Sequence, residues 1–126
     1  MNAEQLVKMS ILQRAAEMDG REIPSYVSGE LVDEDWDNCE EDSVQDAKYE
    51  FRGGEVETDI EAPYSRHYES NSVAACVNGE WVGWTYWYGG GKHGEPSSID
   101  WIEYAYKLDC KEEQKVVTVR TFKVKE

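Results

Sequence analysis

What this chain has little of narrows its class before any motif is considered. Its three cysteines, Cys39, Cys76 and Cys110, are odd in number and widely spaced. A small disulfide-stapled secreted domain needs an even, closely placed set, so these read as free thiols in a reducing cytoplasm. Its two histidines, His67 and His93, show no H-x-x-x-H spacing, and the cysteines show no C-x-x-C. Neither a structural metal nor another cofactor is therefore expected. No run approaches the roughly 18 apolar residues of a membrane span. The opening MNAEQLVKMS lacks the basic-then-apolar order of a secretory signal. There is no internal repeat and no low-complexity linker, and 126 residues read as one domain, 1–126.

Cations are also scarce. Thirteen Lys and Arg stand against 27 Asp and Glu, a net charge of −14. The imbalance is local: residues 1–30 carry three basic and five acidic side chains, residues 31–62 two and thirteen, and residues 63–126 eight and nine. The three segments thus sum to −2, −11 and −1. A surface that binds a nucleic-acid backbone neutralises phosphates with Lys and Arg, so direct nucleic-acid binding is not expected.

What is present is enough for a core: 40% hydrophobic residues and 15 aromatics, more than an acidic disordered chain carries. Asn2 with Gln5 reads as a capping box opening a helix over Ala3–Met18, with Leu6, Val7, Ile11, Ala15 and Met18 facing inward and Gly20 as its stop. Residues 21–31 read as a loop. The acidic segment 31–47 fits either a helix with Val32, Trp36, Cys39 and Ser43 inward, or a loop with one helical turn, because its like charges at i,i+4 oppose a helix. A hairpin is expected between Lys48–Arg52 and Glu55–Asp59 through Gly53-Gly54. A second is expected between Tyr68–Val77 and Glu80–Tyr88 through Asn78-Gly79. Its register sets Val73 opposite Trp84, Ala75 opposite Val82, Cys76 opposite Trp81 and Ala74 opposite Gly83, where a shallow spot invites close approach. A short helix over Ser98–Leu108 and a closing strand over Lys115–Lys125 complete the expectation. The fold class is α+β: an antiparallel sheet of about five strands with an N-terminal helix and a short C-terminal helix on one face.

Two segments carry functional candidates. Asp33, Glu34, Asp35, Asp37, Glu40, Glu41, Asp42 and Asp46 fall within fourteen residues. Carboxylates at i,i+4 on a helix lie about 6 Å apart, close to the charge spacing along a nucleic-acid strand. A field of this kind favours a cationic partner, although many charge runs are only solvated surface. The second segment runs from Trp81 to Tyr106 and holds eight of the aromatics. Within it Gly89, Gly91 and Gly94 match G-x-G-x-x-G, where backbone N–H groups cradle a phosphate when the loop enters a helix. Lys92 and His93 lie in the same loop, and Trp87 or Tyr88 supplies a stacking face. The strand before this loop closes a hairpin instead of opening a βαβ unit, which favours a plain connection with core aromatics. No catalytic residue is assigned and no enzyme is expected: carboxylate pairs are too numerous to inform, and Cys76, alternating within a strand, reads as a small buried hydrophobe.

The segment WVGWTYWYGGGKHGEPSSIDWIEYAYKLDC resembles part of small uncharacterised proteins encoded by bacteriophages and prophages. The overall acidity resembles phage-encoded anti-restriction and anti-CRISPR proteins that mimic DNA, by composition and without a shared motif. The first resemblance carries no known activity; the second implies an inhibitor of a host nuclease or defence complex, acting in the infected bacterial cytoplasm. The expected partner is accordingly a basic, nucleic-acid-handling protein, with no membrane involved. A homodimer is compatible with the chain; a nucleotide-binding or nucleotide-sequestering module using Gly89–Gly94 is the alternative function, and an enzyme of unrecognised type is the third.

Overall fold

The structure is a computed structural model describing residues 1–39 and 41–125. Three α-helices precede a four-stranded antiparallel sheet: α1 Ala3–Met18, α2 Gly29–Asn38, α3 Asp42–Phe51, β1 Val56–Glu57, β2 Glu69–Val77, β3 Glu80–Tyr88 and β4 Tyr106–Leu108. The strand order is β1-β2-β3-β4, and three single 3-10 turns, Gly91–His93, Pro96–Ser98 and Ile102–Tyr104, separate β3 from β4. The expected α+β class therefore stands, with four strands in place of about five.

α1 begins at the capping box: Gln5 N–H donates to Asn2 Oδ1 at 2.8 Å, and Asn2 N–H donates to Gln5 Oε1 at 2.9 Å. Leu6, Val7, Met9, Ile11, Leu12, Ala15 and Ala16 are all buried, so the helix is apolar on more than one side. A helix of that kind belongs inside. α1 packs on α2 and α3, and also meets β2, β3 and β4 of the sheet. Met18, expected inward, is 48% exposed in the last turn of the helix.

The Asn78-Gly79 hairpin forms as read. Both residues have positive φ, 53° and 82°, as a tight primed turn requires. The pairs Val73–Trp84, Ala74–Gly83, Ala75–Val82 and Cys76–Trp81 all hold. Val73, Ala75, Val77, Val82 and Trp84 join the core formed with α1. On the opposite face Gly83 leaves room for β4: a Cβ there would stand 2.7 Å from the Tyr106 ring and 2.8 Å from Leu108. Cys76 shares that outer face and is exposed, which corrects its reading as a buried hydrophobe.

Three other expectations fail. Lys48–Arg52 is not a strand. Val44, Ala47 and Phe51 recur at helical spacing and are buried in α3, which packs on α1. Gly53-Gly54 ends that helix, Gly54 N–H donating to Phe51 O at 3.0 Å, and the chain then pairs β1 with β2. Ser98–Leu108 is not a helix: the 3-10 turns Pro96–Ser98 and Ile102–Tyr104 stand in its place, separated by extended backbone at Ile99, with Trp101 and Ile102 buried. Its last three residues form β4. Lys115–Lys125 pairs with no strand and is exposed along its length.

Candidate functional site

The acidic segment folds as two helices, neither a single helix nor a loop. α2 starts where the Ser28 hydroxyl accepts from Leu31 N–H, so the preceding loop ends before Ser28. Val32 is fully buried and Trp36 packs against the core. This fixes the orientation of α2 and leaves residues two positions away pointing outward. α3 begins at Asp42, whose negative charge favours a helix N-terminus.

The eight candidate carboxylates divide into two sets. Asp33 turns toward α1, accepting from Gln5 Nε2 at 2.9 Å with Lys8 Nζ at 3.9 Å. Asp35 accepts from Tyr26 Oη at 2.7 Å. Burial and that bond to a carboxylate both push the Tyr26 hydroxyl's pKa up. Glu41 pairs with Arg21, which also binds Asp19 at the end of α1. Asp19 accepts from Ser43 Oγ at 2.7 Å, tying α1 to the first turn of α3. Its pKa is lowered, first by the Ser43 hydrogen bond and then by Arg21. These three carboxylates hold the helices in place.

Glu34, Asp37, Asp42 and Asp46 are exposed and have no cation or hydrogen-bond donor among the described side chains. Glu40 lies outside the described residues. One residue was missed by the sequence reading: Glu30, also exposed, stands at i, i+4 and i+7 with Glu34 and Asp37 on the side of α2 away from Val32. The spacing was visible once α2 was allowed to begin at Gly29. On α3, Asp42 and Asp46 repeat the i,i+4 arrangement opposite Val44 and Ala47.

The glycine loop has a different geometry from a phosphate cradle. Gly89, Gly90, Gly91 and Gly94 all have positive φ, and His93 N–H donates to Gly90 O at 3.0 Å to close one 3-10 turn. Among the described residues no α-helix follows, so there is no helix dipole to hold an anion. Tyr68 supports the loop: its hydroxyl donates to His93 O at 2.8 Å, and its ring occupies the space where a Gly90 Cβ would stand. His93 stacks on His67 with ring centroids 3.9 Å apart. Lys92 is exposed, while Trp87 and Tyr88 are half-buried and Tyr88 stacks on Tyr86. Among the described residues no three His, Cys, Asp or Glu side chains converge as metal ligands would, and no helix is long and apolar enough to cross a membrane.

No protein-family model, curated protein or solved structure matches this chain. Its function must therefore be argued from its surface chemistry.

Proposed function

We propose that the protein binds a basic, nucleic-acid-handling protein and blocks it, presenting the carboxylates of α2 and α3 where that partner accepts phosphates. The observation that carries this reading is the division of labour within the acidic segment. Asp33, Asp35 and Glu41 are tied to α1, Tyr26 and Arg21, which fixes both helices, and Glu30, Glu34, Asp37, Asp42 and Asp46 stand outward with no cation beside them among the described residues. Like charges held this close repel one another and destabilise the compact state. A protein needing only solubility could spread a smaller charge over its surface. A fixed array on rigid helices suits a cationic cleft, where it accelerates encounter and sets orientation. The compositional likeness to phage-encoded DNA mimics points the same way and would place the target among host nucleases or defence complexes, in the bacterial cytoplasm.

The test is capture from bacterial lysate on immobilised protein, in parallel with the variant Glu34→Lys, Asp37→Lys, Asp46→Lys. A nucleic-acid-binding protein retained by the natural chain, absent from the variant and displaced by added DNA supports the reading. Identical retention on both supports refutes it.

A further inference from the structure

Residues 115–125 have the composition of a strand but pair with none among the described residues. Residues 115–125 read KVVTVRTFKVK, rich in the β-branched and aromatic residues that favour strands. Val116, Val117, Val119, Phe122 and Val124 are 76–102% exposed, far more apolar area than a lone tail leaves in water without a role. The segment carries Lys115, Arg120, Lys123 and Lys125 and no acid, a charge of +4. The whole chain is −14, so everything outside the segment is −18.

One edge of the sheet complements it. β1 is the end strand, and the stretch around it, Glu55–Glu61, reads EVETDIE. Its alternation puts Glu55, Glu57, Asp59 and Glu61 on one side and Val56, Thr58 and Ile60 on the other, and all four acids are exposed. Glu55 and Thr58 hold this stretch to β2 through N–H bonds to Ala74 O and Ser72 O. At this edge lies a depression lined by Val56, Glu57, Asp59, Ile60, Trp81 and Leu108, apolar and acidic side chains together. The tail has the reciprocal alternation: Phe122 and Val124 on one side, Lys123 and Lys125 on the other. In an antiparallel pairing with Glu57 opposite Lys125, Asp59 falls opposite Lys123 and Ile60 opposite Phe122. Opposite charges and apolar pairs placed directly across two strands are the unit of sheet stabilisation.

The chain leaves the depression at Lys111, and among the described residues 115–125 make no hydrogen bond to the rest of the chain. We infer that the tail of one copy adds as a fifth strand along the β1 edge of a second copy, each giving its tail and receiving the other's. Such an exchange is self-complementary and closes at two copies. Adding a strand to an exposed edge also satisfies the backbone groups that edge leaves open. The inference is independent of the acidic-helix reading, since it uses neither α2 nor α3.

Sedimentation of the full chain at micromolar concentration tests it. A dimer is expected, and a monomer overturns the inference. Reversing the tail (Lys123→Glu, Lys125→Glu) or the edge (Glu57→Lys, Asp59→Lys) should raise the dimer dissociation constant at least about tenfold, since four cross-strand pairs turn repulsive. The decisive arm mixes the two variants. The acidic tail then meets a basic edge, and the basic tail an acidic edge, so a heterodimer should form although neither variant dimerises alone. Two persistent monomers in the mixture would show pairing within one chain or none. A dimer indifferent to both reversals would show that another surface makes it. Either result overturns the inference, and circular dichroism of each variant confirms that it is folded.

Discussion

Replacing Trp84 with alanine should come close to abolishing the fold. The side chain is fully buried. Its ring lies 5.1 Å from that of Phe51 in α3 and 5.2 Å from that of Trp101, so it joins helix, sheet and the turns before β4. Its Nε1 donates to Arg52 O at 2.7 Å, at the point where α3 ends. Truncating a core aromatic costs about 3–5 kcal/mol. Leaving a buried carbonyl unpaired adds about 1–3 kcal/mol. The total of about 4–8 kcal/mol is comparable with the roughly 5–15 kcal/mol that stabilises a whole domain. Trp84→Phe separates the two contributions, because it keeps much of the ring packing and loses the hydrogen bond. It should cost about 1–3 kcal/mol. Urea unfolding followed by circular dichroism reads both variants. A loss below about 1 kcal/mol for the alanine variant would refute the claim that this ring organises the core.

Removing Glu34, Asp37 and Asp46 together should slow association with the partner and flatten its salt dependence, read by surface plasmon resonance, while thermal stability stays within about 0.5 kcal/mol. Asp33→Ala, by contrast, should lower stability through the lost contacts with Gln5 and Lys8 and leave the association rate nearly unchanged. Asn2→Ala removes the capping box of α1 and should cost about 1 kcal/mol in urea unfolding. The lowered pKa of Asp19 means that its contribution is present above the ordinary value of 3.8 and is lost as pH falls through the folded value. Ser43→Ala should therefore destabilise the protein at neutral pH, with the gap to the natural chain closing in acid. Cys76 and Cys110 are exposed and should react with a thiol reagent in the folded protein faster than the half-buried Cys39, with all three titrating after unfolding.

The parts of the fold legible in the sequence are those whose signals are local and unambiguous. The Asn78-Gly79 turn fixes its hairpin because positive φ at both residues is needed and these two residues supply it; the register then follows by counting. The capping box fixes the start of α1 in the same way. Gly53-Gly54 shows the limit of such reasoning. A glycine pair serves equally as a hairpin turn or a helix stop, and the choice was made by α1, whose exposed apolar side needed Val44, Ala47 and Phe51 as cover. The alternation in 115–125 predicts a strand that does not form there, because alternation states a preference for pairing and says nothing of where a partner strand is. For the site, the acidic segment stood out by count. Which carboxylates anchor and which face outward depended on Gln5, Lys8, Arg21 and Tyr26, all distant in sequence from most of the acids they hold.

The separation of anchoring from outward-facing carboxylates has an evolutionary consequence. Gln5 caps α1 and holds Asp33, and its amide sits so close to Gly29 that a Cβ there would overlap it. The pose of α2 is thus set by contacts of Gln5, Asp33 and Asp35, and the outward carboxylates, which under the proposed function would meet the partner, take no part in setting it. Mutations at Glu30, Glu34, Asp37 or Asp46 are therefore free of the usual penalty on the fold. A lineage facing a target that keeps changing its cationic cleft could rewrite those positions one at a time, following the target while every intermediate remains folded.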